Sequence, residues 1–126
     1  MITMRHAKFL DGAAIGASLL CLIHCIGLPI LFALLPALAT IGGASTEWLH
    51  VVLLLTAVPL SGTALIGGYR AHGRVVPLVL GVVGLAALAA GVTLASAPAA
   101  ETALTVAGSL ALAGAHVGNW RRLRPA

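Results

Sequence analysis

Charge is scarce in this chain. Only 8% of its residues are Asp, Glu, Lys or Arg, and no segment sets a charged outer face against an apolar one, which excludes an ordinary soluble domain. Aromatic residues are also few, at 4%. No run interleaves them with basic residues, so the net charge of +4 does not indicate a surface that tracks nucleic acid. Cysteine is confined to Cys21 and Cys25, which excludes a disulfide framework. No Lys or Arg falls between Lys8 and Arg70 or between Arg74 and Arg121.

Those uncharged intervals hold apolar runs that approach the ~20 residues needed to cross a bilayer as helix. The expected fold is an all-α integral membrane protein, a single domain over residues 1–126. Four transmembrane helices, at roughly 11–37, 47–67, 75–95 and 101–119, would pack as a small bundle in the lipid bilayer. A secretory signal competes for the first segment, because Arg5 and Lys8 precede it and Ala37-Leu38-Ala39 resembles a cleavage site. The apolar run is about twice a normal ~7–15-residue signal core, so an uncleaved span is the reading. With four spans every Lys and Arg lies on one side, and Glu47 and Glu101 on the other. The positive-inside rule then puts both termini in the cytoplasm, and Trp48, Tyr69 and Trp120 fall at span ends as an aromatic belt would. The pairs Gly12/Gly16 and Gly114/Gly118, and the face of Gly84, Ala87 and Gly91, allow close helix approach within the bundle or between copies in a homo-oligomer.

The chemistry-bearing stretch is Cys21-Leu22-Ile23-His24-Cys25, with Pro29 beyond it. At ~100° per residue, Ser18, Cys21, His24 and Cys25 share one arc of the first span, with Asp11, Ala14 and Pro29 on or beside it. Leu19, Ile23, Ile26 and Ile30 take the opposite side and should meet lipid. Thiols four residues apart have Cβ atoms ~5–6 Å from each other, wider than the ~3.5–4.5 Å of a normal disulfide. Both thiolates can instead converge on one soft metal ion. Pro29 lacks an N–H and leaves the Cys25 carbonyl without its helical donor, so the helix should loosen at the thiols. A divalent ion bound by two thiolates displaces two protons and leaves the site neutral, which suits residence in a bilayer. Packing is the bland alternative for a buried cysteine. An in-facing pair with a histidine between favours metal or thiol chemistry.

Further polar stripes lie on the second span (Glu47, His50, Ser61) and the fourth (Glu101, Thr105, Ser109, His116, Asn119). Interhelical hydrogen bonding would explain the hydroxyls. By depth, Glu47, His50 and Glu101 would form an acidic mouth, Cys21, His24 and Cys25 a central site, and His116, Asn119 and His72 an inner exit. Cys21, Cys25 and His24 are therefore the expected metal ligands, with Glu47, His50, Glu101 and His116 accessory.

The sequence also resembles the MerC family of mercury-resistance membrane proteins. The resemblance rests on Ala17-Ser18-Leu19-Leu20-Cys21-Leu22-Ile23-His24-Cys25 followed by Leu28-Pro29, on Glu47-Trp48-Leu49-His50, on Gly68-Tyr69-Arg70-Ala71-His72, and on Ala115-His116-Val117-Gly118-Asn119. It implies a bacterial inner-membrane protein that carries mercuric ion inward through its paired thiols, with a metal-delivering or metal-accepting thiol protein as partner. The family's usual first-span pair is Cys-x-x-Cys; here one more residue separates the thiols, and the C-terminal tail has no second pair. With His24 between the thiols, zinc or copper(I) also suits the donor set. A membrane thiol–disulfide oxidoreductase competes, but would ordinarily carry Cys-x-x-Cys at a helix N-terminus and a relay pair. A b-type cytochrome would need axial histidines at one depth, whereas His50 and His116 fall at opposite faces. The expectation is a transporter or binding protein and not an enzyme, with no permanently bound cofactor.

Overall fold

The computed structural model describes residues 4–27, 30, 31, 34, 46–94 and 96–123. Four helices account for most of them: α1 at Met4–Leu22, continued by a π-helical turn at Ile23–Gly27; α2 at Thr46–His72; α3 at Val76–Leu94; and α4 at Pro98–Arg122. No strand occurs among the described residues. The outer part of the expected first span and the Thr40–Thr46 loop lie largely outside them.

The helices outrun the expected spans at the basic end. α1 starts at Met4 and carries Arg5 and Lys8 on its first turns, while α2 continues past Gly67 to His72. Gly73 stops α2: its φ is +68°, a left-handed value glycine adopts without strain, and its N–H bonds back to the Tyr69 carbonyl at 2.7 Å. At the other end of α3, Ala97 is extended and Pro98 opens α4, where the missing N–H costs no helical bond.

Among the described residues, three segments are long and apolar enough to cross a membrane: Lys8–Gly27, Val51–His72 and Val76–Leu94. α4 has 25 residues but a more polar composition. Four of its seven buried residues, Thr105, Ser109, His116 and Asn119, are polar, so the side chains that lower its hydropathy are turned inward. It also runs antiparallel along α3. A Cβ on Gly91 would lie 2.9 Å from Thr105 near one end, while a Cβ on Gly118 would lie 3.8 Å from Pro77 at the other.

Small residues set that packing, since lipid supplies no hydrophobic drive between helices. A Cβ on Gly84 would fall 2.9 Å from the Gly108 carbonyl oxygen, and one on Gly108 would fall 2.8 Å from the Gly84 carbonyl oxygen. The α3–α4 contact is thus backbone against backbone and the most extensive in the bundle. Gly12 and Gly16 behave otherwise: among the described residues no atom lies within 4 Å of a Cβ built on either, so this pair seats none of the described helices. Leu19, Ile23, Ile26 and Ile30 are exposed, as are Trp48, Tyr69 and Trp120 near helix ends. The apolar sides face outward, and the interior receives Asp11, Ser18, Ser61, Thr105, Ser109, His116 and Asn119.

Candidate functional site

One face of α1 organises the interior. Asp11, Ala14, Ser18 and Cys21, with Cys25 in the π turn, are all buried, at alternating three- and four-residue steps that keep a helical stripe on one side. The stripe has a thiol end and a carboxylate end, about 15 Å apart for the ten residues from Asp11 to Cys21.

At the thiol end, Cys21 Sγ and Cys25 Sγ are 3.8 Å apart, far beyond the ~2.05 Å of an S–S bond. The local helix is π-helical over Ile23–Gly27, the loosening that the chemistry of Pro29 anticipates, and such turns recur at functional sites. Cys25 Sγ donates to Thr105 Oγ1 at 3.4 Å. The Thr105 hydroxyl in turn donates to the Glu101 carbonyl at 2.9 Å, shared with Thr102 at 3.1 Å. In the Cys21–Cys25 contact either sulfur can be the donor. Leu88 and Leu112 complete the buried cluster, with Leu54, Ala57, Leu85 and Val106 packed against it. A separation near 3.8 Å is about the chord subtended by two ~2.3 Å metal–sulfur bonds at a tetrahedral angle, and a linear dithiolate would need about 4.6 Å. A sub-ångström opening of the pair separates the two geometries.

At the carboxylate end, Asp11, Ser61, His116 and Asn119 are each at most 1% exposed. His116 Nδ1 meets Asp11 Oδ1 at 2.7 Å, and His116 Nε2 meets Ser61 Oγ at 3.0 Å. Asn119 Nδ2 donates to Asp11 Oδ2 at 2.8 Å and to the Ala64 carbonyl at 3.2 Å. Asn119 Oδ1 lies 2.8 Å from His72 Nε2. Gly68 makes room for this: a Cβ there would fall 1.9 Å from Asn119 Oδ1. The order carboxylate, imidazole, hydroxyl is that of a hydrolytic triad. Ser61, however, sits in mid-helix, where backbone N–H groups are spent on helical bonds and offer no oxyanion hole.

Between the two ends lies a cavity of about 40 Å³, lined by Ser18, Cys21, Ser61, Thr105 and Ser109 among apolar neighbours. Ser109 Oγ is buried without a hydrogen-bond partner.

Cys21 and Cys25 come together. His24, half-buried in the π turn, does not close a ligand set with them, since among the described residues no three His, Cys, Asp or Glu side chains converge on a metal-sized site. His116 has both ring nitrogens engaged, by Asp11 and Ser61, and in this conformation offers no lone pair to an ion. Glu101 lies half-buried in the first turn of α4, one turn from Thr105. Glu47 and His50 are on the first turns of α2, and their side chains fall outside the described set. Sequence reasoning placed Asp11 only at the margin of the thiol arc and did not join it to His116. The available signal was that both are in-facing and sit at the basic end under an alternating topology.

An all-α bundle with membrane-length apolar segments around a buried thiol pair defines a helical membrane protein. The family model described as "MerC mercury resistance protein" matches residues 11–121. The chain belongs to that family and is a mercury-resistance membrane protein. No curated protein and no solved structure matches the chain.

Proposed function

We propose that the chain binds and moves a thiophilic metal ion, mercuric ion first, across a bacterial inner membrane, with Cys21 and Cys25 as its ligands and both termini in the cytoplasm. The observation that carries this reading is the pair of buried sulfurs 3.8 Å apart on the inward face of α1, in a chain of the mercury-resistance family. Two thiolates neutralise a divalent cation, so the loaded site carries no net charge into the apolar interior. Mercuric ion is satisfied by two soft ligands; zinc would need further ligands, and copper(I) is the closer competitor. The acceptor on the basic side would be a thiol protein, and the chain acts as a carrier and not as an enzyme.

The test is uptake of labelled mercuric ion by cells expressing the chain, against Cys21→Ser/Cys25→Ser, with zinc and copper(I) in competition. The double variant should fall to the level of cells without the protein, whereas Glu101→Gln should only weaken uptake. Unchanged uptake without the two thiols would overturn the reading.

A further inference from the structure

Ion binding uses one end of the α1 stripe and leaves the buried polar cluster at the other end without a task. Its hydrogen bonds have directions that can be read from the fixed donors. The Arg74 backbone N–H donates to His72 Nδ1 at 3.0 Å, so His72 carries its proton on Nε2 and donates to Asn119 Oδ1. That sets Asn119 with Nδ2 toward Asp11 Oδ2 and the Ala64 carbonyl. The contact of His116 with Ser61 can run either way, because a hydroxyl both donates and accepts.

Its two directions correspond to two charge states. With one proton held between Asp11 and His116, on whichever atom, Nε2–H donates to Ser61 and the cluster is neutral. With the Nε2 proton gone, Nδ1–H still donates to Asp11, Ser61 donates to a bare Nε2, and the cluster carries one negative charge. No heavy atom has to move between them. An isolated charge is costly at a site this deeply buried.

Ser61 also lines the cavity onto which Cys21 opens. Ser18, Thr105 and Ser109 supply hydroxyls along the way, and the orphaned Ser109 Oγ marks a place for water. A cavity of about 40 Å³ with several polar partners is roomy enough to hold one. The groups facing the pair are few. α2 brings Ser61 and, through Asn119, His72; α3 brings no titratable side chain; on α1, Lys8 is half-buried one turn before Asp11. Arg5, His6, Arg70, Arg121 and Arg122 are exposed.

We propose that the Asp11–His116 pair is the proton donor for ion release from Cys21 and Cys25, acting through Ser61 and water in the cavity. The proposal rests on the dithiol binding of the preceding section. Release to an acceptor dithiol breaks two S–Hg bonds and forms two S–H bonds on Cys21 and Cys25, while the acceptor forms two S–Hg bonds and loses two protons. His116 Nε2 supplies the first proton to one thiolate. One acceptor proton goes to the second thiolate, and the other returns to the pair by way of water, so protons and charge balance over the cycle.

The experiment loads the purified full chain with one equivalent of Hg(II). Release to dithiothreitol is followed by the ultraviolet absorption of the mercury–thiolate bond, in H₂O and in D₂O. Ser61→Ala and His116→Gln should bind the same one equivalent yet release it roughly 100-fold more slowly, the lower end of the range in which a positioned proton donor acts. The solvent isotope effect of the wild type should change in both, and Ser61→Thr, which keeps the hydroxyl, should restore rate and isotope effect. A latch that merely ties helices together would leave release from Ser61→Ala at the wild-type rate, and that result overturns the proposal. Should His116→Gln fail to fold, the Ser61 pair decides. Wild type that retains no mercury would defeat the dithiol reading and this inference together; retention with equal release rates would defeat this inference alone.

Discussion

The two ends of the α1 stripe solve opposite problems with residues from the same helices. The thiol end is made of groups that bond weakly: sulfur to sulfur at 3.8 Å and sulfur to hydroxyl at 3.4 Å, inside a collar of leucines. The carboxylate end is made of groups that bond strongly and have their partners: Asp11 with both oxygens engaged and His116 with both nitrogens engaged. Weak bonds are cheap to exchange for bonds to an ion. Strong bonds between buried charged groups hold α1, α2 and α4 in register, and losing one partner leaves the other stranded. The molecule thus separates weakly bonded groups from strongly bonded ones along one helix face.

That separation can be broken by substitution. The largest effect on stability is expected from Asp11→Ala, which strands His116 and Asn119. It should cost about 3–5 kcal/mol, the range for removing one member of a buried pair, and should appear as a large fall in unfolding temperature in detergent. Gly68→Ala should come next, at about 1–3 kcal/mol for overpacking, because Asn119 has to leave its place. Gly84→Ala should cost a similar amount, by pushing α3 from the Gly108 backbone. At the thiol end, Cys21→Ser/Cys25→Ser should change stability by no more than about 1 kcal/mol, the worth of such weak side-chain bonds, while abolishing mercuric ion binding measured on the same sample. A double serine variant that unfolds as readily as Asp11→Ala would erase the distinction between the ends. Gly12→Ala should have the smallest effect, within about 0.5 kcal/mol, since its Cβ would meet open space.

Much of the fold was legible because bilayer physics writes it plainly. Apolar runs gave the helices, and the lipid-facing sides of Leu19, Ile23 and Ile26 followed from a helical wheel. The stripes of Thr105, Ser109 and His116 could be assigned to the interior from their shared face. The helix ends at the basic side were less legible, because hydropathy falls at Arg70 and His72 although the backbone continues as helix to Gly73. The thiol pair was readable from spacing alone. The Asp11–His116–Ser61 cluster was not, because it depends on the relative rotation and height of three helices. Nothing local to Asp11 says which residue of α4 it will meet. Of the two uses open to the Gly12/Gly16 pattern, packing within the bundle finds no partner among the described residues, and packing between copies is left.

The π turn at Ile23–Gly27 has one more consequence. A helix that takes in an additional residue, without rotating everything beyond it, absorbs that residue as a single widened turn. Cys21 lies just before this turn and Cys25 within it. The distance between the thiols and the register of the membrane helix are therefore separate quantities in this chain. Length can be added or removed between the two cysteines at the cost of one turn, while Asp11, Ala14 and Ser18 keep their seats against α4. The spacing of the two cysteines can in this way be changed without the bundle being rebuilt around it.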